Sequence, residues 1–471
     1  MPEPIFRRFR AAVFLAVVLA AMGLPAPLSA HTRLASSSPA QGDTVAAGLG
    51  RVGIRFTRPV EAELTSLTVL LGSDTVASGP ATPVAGSEGK EFTFALPPGL
   101  AAGGYTVEWR TAGADGHIIR GTFAFVMRSA ATVSPAGVVT PARAAPMPAA
   151  PESAPGPDLD ESSSSDSALA VLVRWAGYLA LRGMVGAAGF ELGVVLPLRR
   201  LHAHDLVTSR AAYGAWFLAA GAAALSVLLL VVRLWMQSAQ AFGAADALDP
   251  ARLGSLLRHT VWGTAWLLQA LATVAFFIGL LVARAPHGRT IGWMGAAVGA
   301  VILCAVPALS GHAAAVEERT GVAILSDTVH VLGAGVWLGT LAVLIAAGLP
   351  AALWARDGGG TAAFAAMVNR FSPVALAGAA LVGATGVVNA LFHITAPAQL
   401  WTTSYGQFLL AKLALLTVVV ATGFYNWRRV RPVLGDEAGA LRLRRSARVE
   451  LLVGGAAVLV TAILVALPTP G

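Results

Sequence analysis

Hydrophobic positions along this chain follow two different periods. Between residues 31 and 128, apolar side chains alternate with polar ones in short runs. Val52, Ile54 and Phe56 are separated by Gly53 and Arg55, and Leu67, Val69 and Leu71 repeat the spacing, as do Phe92, Phe94 and Leu96. Tyr105, Val107 and Trp109 alternate with Thr106 and Glu108, and Phe123, Phe125 and Met127 close the series. A period of two puts every second side chain on one face of a strand. Turn signals such as Pro97-Pro98-Gly99 between the runs predict a small all-β sandwich with Greek-key order.

From Ala168 onward the pattern changes to long apolar stretches at 169–196, 212–234, 260–283, 290–310, 323–348, 371–393, 406–427 and 447–467. Each is long enough to cross a hydrocarbon layer, so 168–471 is predicted to be an all-α polytopic membrane bundle of eight transmembrane helices. Residues 129–167, rich in Pro, Ala and Ser with Asp158, Asp160, Glu161 and Asp166 near the end, lack the apolar content of a core and read as a linker. Flexible-chain scaling gives that tether a span of roughly 35 Å. Arg7, Arg8 and Arg10 precede the apolar run Ala11 to Leu24, and small residues lead to Ala30. This order predicts a signal peptide over 1–30, with cleavage exposing His31 as the new amino terminus.

Composition sharpens this division. Of 471 residues 56% are hydrophobic and 12% charged. Soluble domains carry about 25% charged residues, so a wholly soluble or disordered chain is excluded. The net charge of +8 is almost all arginine, since Lys90 and Lys412 are the only lysines. If the linker lies outside the cytoplasm, the loops predicted inside hold Arg199, Arg200, Arg210, Arg284, Arg289, Arg356, Arg370, Arg428, Arg429, Arg431, Arg442, Arg444, Arg445 and Arg448. The outer loops hold Arg252, Arg258 and Arg319. Fourteen against three is the positive-inside pattern of an inner-membrane protein with its β domain on the periplasmic side. It accounts for the basic charge without a nucleic-acid partner. Cys304 is the only cysteine, which excludes an intrachain disulfide, a cysteine zinc cluster and a CxxC redox pair.

The candidate chemistry is carried by histidines. A free amine and ring nitrogen on His31 can chelate one ion together. Asp115-Gly116-His117 lies between two predicted strands and offers a carboxylate and an imidazole. Nitrogen-rich ligands with one carboxylate and no thiolate suit Cu(II). In the membrane half, His259, His312, His330 and His393 fall at the outer ends of consecutive spans, and Asp327 lies one helical turn before His330. These five are the candidate ligands of a membrane metal path, because ionisable groups at membrane depth are costly and mark function. Arg182 and Glu191 are predicted to pair inside the bundle, and Asn389 and Asn426 to bridge helices.

Several motifs make the two halves recognisable. His31 with Ser38-Pro39-Ala40, Ile54-Arg55-Phe56-Thr57-Arg58-Pro59-Val60, Gly104-Tyr105-Thr106-Val107-Glu108-Trp109-Arg110 and Ala114-Asp115-Gly116-His117 resemble the CopC family of periplasmic copper-binding domains. The resemblance implies a small Ig-like or cupredoxin-like β-sandwich whose Cu(II) site maps onto His31, Asp115 and His117. The methionine-rich Cu(I) site of some members has no counterpart, since Met127 is the only methionine in this domain. Ser310-Gly311-His312-Ala313, His330-Val331-Leu332-Gly333-Ala334-Gly335-Val336-Trp337-Leu338-Gly339 and Thr385-Gly386-Val387-Val388-Asn389 are similar to the CopD copper-resistance membrane family. The order is that of fused CopC–CopD proteins of copper homeostasis.

Together these readings imply a non-enzymatic copper-binding protein of the membrane. Its outer domain takes Cu(II), and its bundle imports copper as Cu(I) or Cu(II), with a periplasmic chaperone or reductase as partner. No Walker A motif is present, so transport powered by its own ATP hydrolysis is not expected. The alternatives are copper export or detoxification, and copper sensing without transport. A haem-binding membrane redox protein is a further one, which would need histidine pairs facing across the bundle.

Overall fold

The structure is a computed structural model that describes residues 32–113, 118–129, 167–201, 206–285, 287–309, 320–355, 359–434 and 437–467. The predicted signal peptide over 1–30, residues 130–166 of the predicted linker, and His31, Asp115, His117 and His312 lie outside the described residues. Two compact units form: the strands together with Gln240–Thr260, and the long helices.

In the first unit the alternating runs form strands as expected. They are β1 Leu34–Ser38, β2 Thr44–Val45, β3 Arg51–Phe56, β4 Ser66–Leu71, β5 Asp74–Pro80, β6 Thr82–Pro83, β7 Glu91–Ala95, β8 Gly103–Ala112 and β9 Ile118–Met127. Two sheets result, with strand orders β1-β3-β7-β6 and β2-β9-β8-β4-β5. Their apolar faces meet in one core. Phe56 sets its ring edge-on to Phe92 and Trp109 at 6.2 and 5.4 Å, and Tyr105 stacks on Phe125 at 5.3 Å. Such offset and edge-on geometries suit the ring quadrupole. The Tyr105 hydroxyl escapes burial without a partner by donating to the Ala101 carbonyl at 2.7 Å.

The short helix Pro250–His259 belongs to this unit. Asp249 caps it by accepting from the backbone N–H groups of Ala251 and Arg252, and Pro250 occupies its first turn. Ser255 donates to Glu63 at 3.1 Å, tying the helix to the 3-10 turn Ala62–Leu64 that follows β3.

Among the described residues, the second unit contains eight helices long and apolar enough to cross a membrane. They are span 1 (Ala168–Leu201), span 2 (Leu206–Phe242), span 3 (Val261–Val282), span 4 (Arg289–Leu309), span 5 (Gly321–Trp354), span 6 (Gly359–His393), span 7 (Ser404–Val433) and span 8 (Ala438–Leu464). Small residues let their backbones approach: Gly186 of span 1 lies against Gly339 of span 5, and Gly279 of span 3 against Gly292 of span 4. The helices are not regular throughout. Wider π-helical turns interrupt span 1 at Glu191–Val195, span 5 at Gly335–Gly339 and Leu344–Gly348, and span 7 at Asn426–Val430.

Candidate metal centres

In the sandwich, the described backbone on either side of the predicted ligands converges at one end. Arg33 donates its N–H to Thr57 Oγ1 at 3.0 Å and accepts from the Thr57 N–H at 2.9 Å. Three residues further, Val60 bridges to Gly113, which directly follows β8. β8 and β9 are paired up to Ala112 and Ile118. The chain segments leading to His31 and those flanking Asp115 and His117 therefore share one end of the sandwich. Glu63 stands at this end as well, because the neighbouring Glu61 donates its N–H to the Ala112 carbonyl.

His259 is placed here too. It ends the helix Pro250–His259, with Nδ1 4.0 Å from Glu63 Oε1. On the facing strands Arg110 and Arg120 are directly opposed. Burial, with Arg120 and Arg252 adding repulsion, holds the Arg110 guanidinium below its usual range.

In the membrane unit Asp327 and His330 sit one turn apart on span 5, as their spacing predicts. Both are half-buried. At 1.5 Å per residue they lie about 9 and 14 Å from Gly321 along the axis. The ring Nδ1 of His330 lies 3.1 Å from Thr385 Oγ1 on span 6. Thr385 spends its own hydroxyl hydrogen on the Leu381 carbonyl at 2.6 Å. That chain assigns Nδ1 as a donor to Thr385, and the ring also hydrogen-bonds the Val382 backbone, so span 6 fixes its orientation. Fixing one ring nitrogen in this way is how outer partners orient metal-binding imidazoles.

Asn389 of span 6 donates to Asp327 Oδ1 at 3.4 Å while accepting from Ser326 at 2.6 Å, and so bridges the two helices as expected. Lys412 of span 7 interacts electrostatically with both Asp327 and His330. Tyr405 also feels the Asp327 charge, and its ring packs edge-on to His393 at 5.8 Å. His393 therefore touches the margin of this cluster. Among the described residues, no three His, Cys, Asp or Glu side chains come together to hold a metal. Residue order alone assigns no part to Lys412 or Thr385. A lysine inside an apolar stretch was the available signal for the first, and the i, i+4 spacing of Thr385 and Asn389 for the second.

The expected Arg182–Glu191 pair does not form. Nine residues along a helix turn a side chain to the opposite face and shift it by about 14 Å. Arg182 donates instead to the Tyr178 carbonyl at 3.0 Å. Glu191, 1% exposed, receives both Nε and Nη2 of Arg289 from span 4 at 2.7 Å. Arg289→Ala is expected to destabilise the membrane unit by about 3–5 kcal/mol, because it strands a buried charge. Adding Glu191→Gln should recover most of that loss. Thermal unfolding of the two variants in detergent checks both expectations.

Three family models match this chain. Residues 34–128 match the CopC domain family. Residues 164–323 match the copper resistance protein D-like N-terminal domain, and 365–464 match copper resistance protein D. Over 453 residues the chain is 27% identical to the copper transport protein CutJ of Bacillus subtilis (strain 168), covering 95% of this chain and 76% of that protein. Among solved structures, CopC from Methylosinus trichosporium OB3b is 31% identical, covering 22% of this chain and 100% of that one with a TM-score of 0.21. PcoC, a methionine-rich copper resistance protein from Escherichia coli, is 26% identical over 21% of this chain and 100% of that one, with a TM-score of 0.18.

Proposed function

Since the chain is a fusion of a CopC domain with a CopD-type membrane unit, we propose that it captures Cu(II) outside the cytoplasmic membrane and imports copper through its eight spans. Signal cleavage after Ala30 leaves the amine and ring of His31 to bind the ion with Asp115 and His117. The arginine distribution supports a sandwich on the periplasmic side, with the 129–167 tether keeping it at effective concentrations of order millimolar near the bundle. The common end of the sandwich, where Glu63 meets His259, supports His259 as the first acceptor. Asp327 and His330 receive copper next, with His393 at the margin of their cluster and His312 as a further candidate ligand.

The observation that carries this reading is the Asp327–His330 pair inside a span, with the imidazole held by Thr385 and Asp327 held by Asn389. Two ligands hold an ion weakly enough to release it, which suits transit better than storage. Thr385 and Asn389 orient the two ligands, and Lys412 offers Asp327 a positive partner between copper ions.

Uptake of radioactive copper into proteoliposomes tests the proposal. His330→Ala and Asp327→Ala should each lower the initial rate at least about tenfold, the scale of losing a metal-site interaction. Cu(II) binding at the sandwich should be retained. Rates equal to wild type in both variants, or copper moving only outward, would refute it.

A further inference from the structure

Spans 5, 7 and 8 enclose a carboxyl group that the copper route does not use. Glu450, near the middle of span 8, is 3% exposed. Asn426 of span 7 donates from Nδ2 to Glu450 Oε2 at 3.2 Å. The indole of Trp337, from span 5, hydrogen-bonds the same carboxyl. Ser446, one turn earlier on span 8, donates to Asn426 Oδ1. Gly423 of span 7 packs against the other oxygen, for a Cβ there would stand only 3.3 Å from Glu450 Oε1.

All of these partners are neutral. Among the described residues no lysine, arginine or histidine lies within ion-pair distance of Glu450. The charges nearest along spans 7 and 8, Arg428, Arg429, Arg445 and Arg448, are all exposed. Span 5 contributes Trp337 and no charge at this level, and Arg182 of span 1 turns to the carbonyl of Tyr178. A carboxylate at membrane depth with only neutral partners is costly by several kcal/mol, and a positive ion beside it removes that cost.

The backbone points the same way. Both cross-helix partners sit on π-helical turns: Asn426 opens Asn426–Val430, and Trp337 lies within Gly335–Gly339. Such turns concentrate at functional sites. In transporters, carbonyls freed from the regular helix ladder coordinate coupling cations. The available side-chain donors are a carboxylate, an amide oxygen that one flip of Asn426 would present, and a hydroxyl. These are hard oxygens that suit a small hard cation better than copper.

We infer that Glu450, with Asn426 and Ser446, forms a binding site for a small monovalent cation, H⁺ or Na⁺, distinct from the copper ligands. Trp337 lies about 10 Å along span 5 from His330, so the two sites share one helix. Coupling between them rests on the copper-transport reading, whereas the cation site does not.

The test uses the full-length, copper-free protein in nanodiscs. Infrared difference spectra are recorded while Na⁺ is added at constant pH, and again while pH is changed at constant Na⁺. Wild type should show a carboxyl response that Glu450→Gln abolishes. A response to Na⁺ identifies sodium, and a response to pH alone identifies the proton. Glu450→Gln keeps the shape and hydrogen-bonding capacity of the side chain, and a thermal melt verifies that it folds. Asn426→Ala leaves the carboxyl in place and should shift the midpoint at least about tenfold, the value of one hydrogen bond to a charged group. Identical spectra for wild type and Glu450→Gln in both titrations, or an unmoved midpoint in Asn426→Ala, would overturn the inference.

Discussion

Replacing His31 and His117 together with alanine is expected to lower the Cu(II) affinity of the outer domain by at least about a thousandfold. Disturbing even an outer partner of a metal ligand costs roughly 10- to 100-fold, and here two nitrogen donors are removed outright. Cu(II) prefers tetragonal nitrogen and oxygen ligation, and neither alanine side chain supplies a donor, which leaves only the terminal amine and Asp115. Electron paramagnetic resonance of the full-length protein reads the outcome directly: imidazole nitrogen hyperfine structure in wild type, and none from this domain in the double variant. Retention of the wild-type spectrum would remove His31 and His117 from the site. Mass spectrometry of the mature chain belongs to the same test, because any residue left before His31 turns its amine into an amide and disables the chelate. The local framework gives the expectation its structural basis. Pairing of Arg33 with Thr57 and of Val60 with Gly113 brings the flanks of both ligand segments to one end of the sandwich.

Gly186→Leu is expected to prevent the membrane unit from assembling. A Cβ on Gly186 would lie 2.1 Å from the Gly339 carbonyl carbon, and one on Gly339 would lie 2.2 Å from the Arg182 carbonyl oxygen. Overpacking against side chains costs typically about 1–3 kcal/mol, because side chains can shift. Here the obstacle is backbone of the facing helix, and the buried Thr340 stands beside it, so the cost reaches or exceeds that range. The measurable result is loss of a monodisperse peak and of a cooperative thermal transition after extraction. Gly177→Ala on the same span is the control. A Cβ there meets nothing within 4 Å, and stability should hold or rise slightly.

Much of the architecture can be read from residue order alone. Val52, Ile54 and Phe56 are buried to within 3% exposure, and the residues between them are less so. One buried face writes itself into a strand as a period of two. The edge strands β1, β2, β5 and β6 lack that alternation because they are short or lie at sheet margins. The eight spans are equally legible, since crossing hydrocarbon demands a long apolar run wherever the helix sits in the bundle. Asp327 and His330 are legible as a pair because helical spacing alone puts them on one face.

What stays hidden in residue order is set by contacts between distant segments. Glu191 pairs with Arg289, 98 positions away, and helix spacing carries no information about which helix faces it. His259 belongs with Glu63 of the sandwich unit, an association made across nearly two hundred residues. Glu450 reads as an ordinary charge near an arginine-rich stretch until Asn426 and Trp337 close over it. The sequence by itself therefore determined the fold class of each half, the number of spans and the residue types able to hold copper. These follow from local periodicity and hydropathy. Tertiary structure alone decided what holds the His330 imidazole, which carboxylates are paired and where the helices widen. Those properties depend on hydrogen bonds and close packing between segments that the linear order leaves far apart.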